Sequence, residues 1–148
     1  RSRGLGDVYK RQYLRKIGAD TVQVKTLFSG TISMYQMRSQ IVAHAELFHH
    51  HAISAVKFQN EDNRLLSAQA ADELLSIQGV EASYVLYVAN DGIGICARSM
   101  GRVNVQLVME ALGGGGHQTM AAAQLHHITL QEAKEKLLQI LRDEEQNS

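Results

Sequence analysis

A run of four glycines followed by a histidine is the part of the sequence best suited to chemistry: Gly113, Gly114, Gly115, Gly116 and His117. Without Cβ atoms, the backbone can adopt positive φ, turn several N–H groups toward an anion and approach phosphate oxygens closely. The His117 ring can donate a further hydrogen bond. The alternative is that Gly113 only ends a helix and the other glycines form a connector. The run alone therefore leaves phosphate binding and a plain linker both open.

Arg98 and Ser99 lie at the end of a predicted strand, one short predicted helix before the glycine run. A guanidinium binds phosphate through two parallel hydrogen bonds, and a hydroxyl adds a third donor. Gly94 and Cys96 precede Arg98 on the same predicted strand face, so small side chains leave room there for a ligand, although close packing of a helix on Gly94 explains them equally well. Convergence of these groups with the glycine run favours phosphate binding. Asn104, between them, already fits the N-cap of the short helix.

The other reactive residue types carry weaker signals. His49, His50 and His51 are adjacent, so on a helix or strand their side chains should diverge, and we predict a solvated junction there. We expect no metal role for the pair at 126–127 either. Cys96, the single cysteine, lies in an apolar run with no base or helix N-terminus to lower its pKa, so we predict a buried packing residue. We therefore predict no metal site and no catalytic residue in this chain.

Composition indicates one globular domain. The chain has 148 residues, of which 45% are hydrophobic and 20% charged, and no stretch is apolar enough to span a membrane. We therefore expect a cytoplasmic protein without membrane contact. Four of the 15 basic and one of the 15 acidic residues lie in residues 1–12, so the rest has a net charge of −3. That charge argues against long duplex DNA as a ligand.

The periodicity of the chain predicts an α/β fold, with a mixed β-sheet flanked by helices. A short helix through Phe28 should break at Ser29-Gly30, and a longer helix should follow, with an apolar stripe from Met34 to Phe48. The later predictions are a strand at 52–58, a helix at 65–78 stopped by Gly79, a strand at 80–89, a hairpin turn at Asn90-Asp91-Gly92, a strand at 93–98, a helix from Asn104 to Gly113, a strand at 124–128 and a helix begun by the Thr129/Glu132 capping box.

Four segments together carry a family resemblance: residues 97–99, 103–105, 113–117 and the alanines at 121–123. They resemble the DHH-associated (DHHA) domain of DHH-family phosphoesterases. From Tyr13 onward, including residues 67–75 and 105–110, the chain looks most like the C-terminal part of bacterial cyclic-di-AMP phosphodiesterases. Residues 6–12 instead resemble a translated sequencing adapter, with a disordered terminus as the alternative. We therefore predict an artefactual head at 1–12, a helical remnant of a DHH domain and linker at 13–50, and a DHHA domain at 51–148.

The resemblance implies a substrate-binding fragment of a larger enzyme. In that family the preceding DHH domain holds two manganese ions, and the associated domain binds the nucleotide, here through Arg98, Ser99 and residues 113–117, with Asn104 a weaker candidate. The parent would hydrolyse cyclic di-AMP to the linear dinucleotide, and this chain alone would bind no cofactor and be inactive. The implied partner is a cyclic dinucleotide or a short oligonucleotide. A membrane anchor and homodimerisation of the parent stay open, as do two alternatives: an oligoribonuclease or single-strand exonuclease fragment, and a non-catalytic nucleic-acid-binding module.

Overall fold

The computed structural model describes residues 21–58 and 60–146. The adapter-like head and the predicted helix end at 13–18 lie outside these residues. The chain divides into two units, of which one ends at Gln36 and the other begins at Met37 and contains the sheet. None of the helices in the described ranges is long and apolar enough to cross a membrane.

Within the described residues the first helix, α1, is continuous over Thr21–Ala43. The predicted break at Ser29-Gly30 is wrong: glycine in a helix interior costs about 1 kcal/mol, which neighbouring helical turns can outweigh. The predicted helix also extends too far, because Phe48 belongs to a strand and pairs with His51 of the next strand. Strand pairing there overrides a helical spacing of apolar residues that the local sequence alone favours.

Six strands form one mixed sheet in the order β1-β2-β3-β4-β6-β5. Their bounds are Glu46–Phe48 (β1), His51–Val56 (β2), Ala82–Ala89 (β3), Gly92–Ser99 (β4), Gly115–Gly116 (β5) and Met120–His126 (β6). Only β2 and β3 pair in parallel, and the other neighbours are antiparallel. The α/β prediction with a mixed sheet is confirmed. The last strand, however, begins at Met120 rather than at the predicted Gln124, and part of the glycine run forms the edge strand β5.

Three further helices cover the sheet: α2 (Asn63–Leu74), α3 (Val105–Glu110) and α4 (Leu130–Gln146). Helix α2 connects the parallel strands β2 and β3, as a parallel pair requires. It packs on the face that carries Ser83 and Cys96, since the Ser83 hydroxyl donates to Ala71 O over 2.6 Å and Cys96 Sγ lies 3.9 Å from Arg64 O. Helices α3 and α4 bury the opposite face in an apolar core that includes Ile95, Ala97, Met109, Leu137 and Leu141.

The hairpin predicted at Asn90-Asp91-Gly92 is confirmed, because Ala89 pairs with Gly92 across the turn. Along that hairpin Tyr87 is paired with Gly94, and a Cβ on Gly94 would lie 2.2 Å from Cζ of the Tyr87 ring. The tyrosine ring therefore occupies the space above the glycine. This corrects the expectation that Gly94 leaves room for a ligand or for a helix.

Candidate functional site

Arg98 lies near the end of β4, on the sheet face covered by α2. Its Nε donates to Asp72 Oδ1 over 3.1 Å and its Nη1 donates to the carbonyl of Ala97 over 2.9 Å. Its side chain is 12% exposed, whereas that of Asp72 on α2 is 62% exposed. Nη2 makes no hydrogen bond to the described part of the chain. The guanidinium is thus fixed at the border of α2, with one nitrogen available at the surface.

His117 lies in the same row of the sheet as Arg98. Met120 is the partner of Arg98 across β4 and β6. The His117 amide donates to Met120 O over 2.7 Å, and the Met120 amide donates to His117 O over 3.3 Å. Because neighbouring strands are about 4.8 Å apart, the Cα atoms of Arg98 and His117 are roughly 10 Å apart. Row alternation places Arg98 and Met120 on the face of α2. His117 follows Gly116 just after β5, and its side chain is exposed beside this row.

Ser99 organises the turn after β4. Its buried hydroxyl donates to Val103 O over 2.5 Å and accepts from the Gly101 amide over 2.9 Å. Its amide donates to Thr119 O over 3.0 Å, so this turn is bonded directly to the tip of the β5–β6 hairpin. The structure therefore connects Ser99 to the glycine hairpin through its backbone, while its hydroxyl proton is used within the turn.

Asn104 is the N-cap of α3, as predicted. Its Oδ1 accepts from the amides of Gln106 and Leu107 over 3.1 and 3.4 Å. The side chain thereby satisfies amides that the first helical turn leaves without partners. Its oxygen is used inside the fold, so the structure gives this residue a capping role.

The glycine run first ends α3. Gly113 has φ +87°, its amide donates to Glu110 O, and the Gly114 amide donates to Met109 O over 3.0 and 2.8 Å respectively. This is a Schellman motif, in which a left-handed glycine closes a helix. The His117 amide is bonded to Met120, and alternation along the ladder makes Gly115/Ala122 a bonded pair as well, so four of the five amides serve the fold. The predicted row of amides turned toward an anion is therefore wrong for Gly113, Gly114, Gly115 and His117.

The remaining glycines differ in what a side chain would meet. A Cβ on Gly114 would lie 2.1 Å from Ala122 O, and one on Gly116, where φ is +145°, would lie 2.5 Å from Met120 O. Both are required by the close approach of β6. At Gly115 the φ is ordinary and a Cβ would meet nothing within 4 Å. Gly115 is thus the one glycine of the run that the fold itself does not require.

The sheet surface beside the row of Arg98, Met120 and His117 is not covered by a helix. Ala122 and Gln124 of β6 are exposed there. An open hollow of about 1220 Å³ adjoins it, lined in part by Arg64, Tyr87, Gly113, Gly114, Ala122 and Gln124. Arg98 and His117 are not among its lining residues, so the hollow extends along β6 from their row. Sequence reasoning missed Arg64 and Tyr87, since an arginine in the first turn of a helix and a tyrosine in a strand are ordinary surface and core residues.

The histidine prediction is corrected by the structure. His51 is 3% exposed in β2, and the Nε2 atoms of His50 and His51 lie 3.4 and 3.7 Å from Oε1 of Glu145 in α4. Burial, and then the neighbouring His50, lower the pKa of His51 to about 4. The two rings converge because His49 and His50 form a tight turn, with φ +54° at His49, rather than a regular element. No sequence signal links this turn to Glu145.

Cys96 is buried, as predicted, and burial raises the pKa of its thiol above the usual range, although Arg98 acts in the opposite direction. A thiol with a raised pKa is a poor nucleophile at neutral pH. The prediction of a packing residue is confirmed.

Comparisons with known proteins agree on one family. Residues 50–146 match the DHHA1 domain. The chain is similar to the cyclic-di-AMP phosphodiesterase PdeA of Listeria monocytogenes, with 43% identity over 128 residues, covering 85% of this chain and 20% of that protein. It is also similar to the cyclic-di-AMP phosphodiesterase GdpP of Geobacillus thermodenitrificans, with 45% identity over 133 residues, covering 88% of this chain and 20% of that protein.

Among solved structures, an exopolyphosphatase-related protein from Bacteroides fragilis has a similar fold, with a TM-score of 0.66 and 20% identity, covering 75% of this chain and 34% of that one. The chain spans about a fifth of the length of the two phosphodiesterases. The family match covers well over half of the chain and contains strands β2 to β6 and the three helices that cover the sheet. The protein therefore belongs to the DHHA1 domain family, as the resemblance of its Arg98-Ser99 and glycine-run segments predicts.

Proposed function

We propose that this chain is the substrate-binding C-terminal part of a phosphodiesterase that hydrolyses cyclic di-AMP, and that the row Arg98–Met120–His117 holds one phosphate of the nucleotide. Two relatives at 43% and 45% identity are named cyclic-di-AMP phosphodiesterases, which supports the substrate class. The site depends on the register of β4, β6 and the β5–β6 turn, which places Arg98 and His117 in one row across the sheet. Gly115 lies beside this row, and a side chain there would meet no atom within 4 Å.

In this proposal Arg98 donates from Nη2 and His117 donates from its ring. The Gly116 amide supplies a third donor. In an antiparallel ladder, pairs joined by backbone hydrogen bonds alternate with pairs that are not. His117 and Met120 are joined in this way, so the next pair, Gly116 and Ala121, is not. The Gly116 amide then points to the free edge of the sheet. Gly115 lets the phosphate approach the backbone, while Ser99 and Asn104 act by holding the hairpin and α3 in place.

The hollow beside the row accommodates the rest of the nucleotide. The exposed Ala122 and Gln124 form its floor on β6, and Arg64 and Tyr87 stand on its other side. The small side chain of Ala122 allows a flat base to lie on the strand, and a tyrosine ring or a guanidinium can stack on a base. This extended, shallow surface suits a small dinucleotide better than a duplex.

Hydrolysis itself would belong to the parent enzyme. Manganese ions supply a hydroxide nucleophile and neutralise phosphoryl charge when bound. Among the described residues, the one group of three possible metal ligands is His50, His51 and Glu145, which is the size of a single-ion site. The described part of the chain therefore does not fit a two-manganese site, and we place that site in the DHH domain of the parent. Accordingly, we expect this chain to bind the nucleotide without cleaving it, even with manganese added.

The proposal is tested by calorimetric titration of the purified chain with cyclic di-AMP. Arg98→Ala and His117→Ala should each weaken binding by roughly 10- to 150-fold, which corresponds to one hydrogen bond to a charged group. Asp72→Asn removes a competing carboxylate beside Arg98 and should strengthen binding a few-fold. His44→Ala is the matched control, because this exposed histidine follows α1, bonds only to Gln40 O within the described residues and does not line the hollow.

Unchanged binding in both Arg98→Ala and His117→Ala, with native unfolding curves, would show that the row is not the phosphate site. A parallel titration with the linear dinucleotide and a short oligoribonucleotide decides the substrate class. Tighter binding of either linear ligand than of cyclic di-AMP would favour an oligoribonuclease or exonuclease parent. Binding of long duplex DNA with equal affinity would refute the nucleotide proposal as a whole.

A further inference from the structure

The two ends of the domain meet at a hairpin. Strands β1 and β2 are joined by the tight turn at His49-His50, and the last turns of α4 lie against this hairpin. Arg142 places its Cζ 5.9 Å from the centre of the Phe48 ring, and Glu145 reaches His50 and His51. The family match begins at residue 50 and ends at residue 146, so the contacts of Glu145 with His50 and His51 join its first residues to its last.

The donor atoms at this junction have the separations of metal ligands. Nε2 of His50 is 3.4 Å and Nε2 of His51 is 3.7 Å from the same Glu145 oxygen, and all three donor atoms lie within 4.8 Å of one another. A tetrahedral ion with bonds of about 2.0 to 2.1 Å holds its ligand atoms about 3.3 Å apart. Two of the three distances between the donor atoms are therefore close to this value, and small side-chain rotations shorten the third.

Both ring nitrogens of His51 have a polar neighbour. Its Nδ1 lies 3.3 Å from the hydroxyl oxygen of Tyr84, which is itself fully buried. In one tautomer the Tyr84 hydroxyl donates to Nδ1, and Nε2–H donates to the Glu145 carboxylate. In the other, Nδ1–H donates to the Tyr84 oxygen, and the lone pair of Nε2 faces the carboxylate, so that a metal ion can bind both. Metal-bound histidines typically use their second nitrogen in this manner.

We propose that His50, His51 and Glu145 form a binding site for a zinc-type divalent ion, with water as the fourth ligand. Two imidazoles and one carboxylate with an open position are a ligand set suited to Zn²⁺, whereas Mg²⁺ and Ca²⁺ require more oxygen ligands. The ion would tie the β1–β2 hairpin to the end of α4. The site is separate from the proposed nucleotide row, because β3 and β4 lie between β2 and β6 in the sheet. The metal proposal therefore does not depend on the proposed function.

Such a site would cross-link the beginning and the end of the domain. A cross-link between His50 and Glu145 closes a loop that contains nearly every residue of the sheet, and a ligand that binds only the folded state adds its binding free energy to stability. The end of α4 would then be fixed to the first turn of the matched domain.

The test uses the full chain without a histidine tag, stripped of metal and titrated with Zn²⁺ and, as a spectroscopic probe, with Co²⁺. We expect one ion per chain, a rise in the unfolding temperature, and the intense visible absorption of tetrahedral Co²⁺. His50→Ala and Glu145→Gln should weaken Zn²⁺ binding at least as much as the roughly tenfold that loss of an outer-shell partner costs. His49→Ala is the matched control, since His49 is outside the group.

Glu145→Gln is the decisive variant, because surface histidines bind metals adventitiously without any carboxylate. If Zn²⁺ binds Glu145→Gln as tightly as the wild type, or if His49→Ala loses as much affinity as His50→Ala, the site is only an adventitious histidine run and the proposal is wrong. The weak absorption of octahedral Co²⁺ would equally overturn it. Both substitutions are at partly exposed side chains, so unfolding in the absence of metal should remain cooperative and close to that of the wild type.

Discussion

The glycine run offers a pair of adjacent, chemically identical substitutions that should behave in opposite ways. Gly114→Ala places a Cβ 2.1 Å from Ala122 O and 2.6 Å from Ala123 Cα, both backbone atoms. Because carbon atoms rarely approach within 3.0 Å of such neighbours, β5 must retreat by about 1 Å, which strains the Gly114 bond to Met109 O. Overpacking of about 1 to 3 kcal/mol and a weakened hydrogen bond of about 1 kcal/mol together predict a loss of about 2 to 4 kcal/mol.

Gly115→Ala should be neutral or stabilising. A Cβ there meets no atom within 4 Å and φ is ordinary, so the substitution mainly restricts the unfolded chain and adds about 0.4 to 1 kcal/mol to the free energy of unfolding. At about 4 °C per kcal/mol, the unfolding temperatures of the two alanine variants should differ by roughly 10 °C or more. Calorimetric or circular-dichroism melting measures this difference directly.

The same position separates folding from ligand binding. Gly115→Val should keep a native unfolding temperature and yet weaken cyclic di-AMP binding by about tenfold or more, because branched methyl groups fill the space through which the phosphate approaches the backbone. The reasoning is refuted if Gly115→Ala destabilises the chain as much as Gly114→Ala, which would mean that the run is required only by the fold. Wild-type affinity in a folded Gly115→Val variant would remove Gly115 from the proposed site while leaving the structural argument intact.

Three further predictions concern stability. The pKa of His51 is about 4 in the folded chain, below its ordinary value of 6.5, so the unfolded state binds more protons between these two pH values. In metal-free buffer, the free energy of unfolding should therefore fall by up to about 3 kcal/mol as the pH falls from 6.5 to 4. Urea titrations at several pH values measure this, and a flat profile would contradict the burial argument. Asn104→Ala should cost about 1 kcal/mol through loss of the α3 cap, with Asn104→Ser restoring most of it. Gly94→Ala should displace the Tyr87 ring and cost about 1 kcal/mol, and in a double-mutant cycle with Tyr87→Ala the two losses should not add.

The local chemistry of the sequence was sufficient for elements whose ends are set by neighbouring residues. Asn104 caps α3, Thr129 and Glu132 form the predicted reciprocal capping bonds, and Asn90-Asp91 turns the β3–β4 hairpin. Each of these depends on bonds within three or four residues, which a single sequence displays. The family resemblance likewise depended on short motifs that survive without any coordinates.

Pairing between distant strands was decided only by the tertiary structure. It turned Phe48 from a predicted helix into β1, gave Gly115–Gly116 the role of an edge strand, and filled the space over Gly94 with Tyr87. These outcomes depend on which strand lies alongside which, and hydrophobic periodicity contains no information about that choice.

The two candidate sites show the same division. The residue types of Arg98 and of the glycine run indicated phosphate chemistry from the sequence, but only the register through Met120 put Arg98 and His117 in one row and left Gly115 as the open position. At the other edge, the histidine run was visible from the beginning, whereas Glu145 lies almost a hundred positions away and joins it only because α4 folds back on the first hairpin. A sequence specifies the functional groups of a site, and the packing of distant elements determines which of them meet.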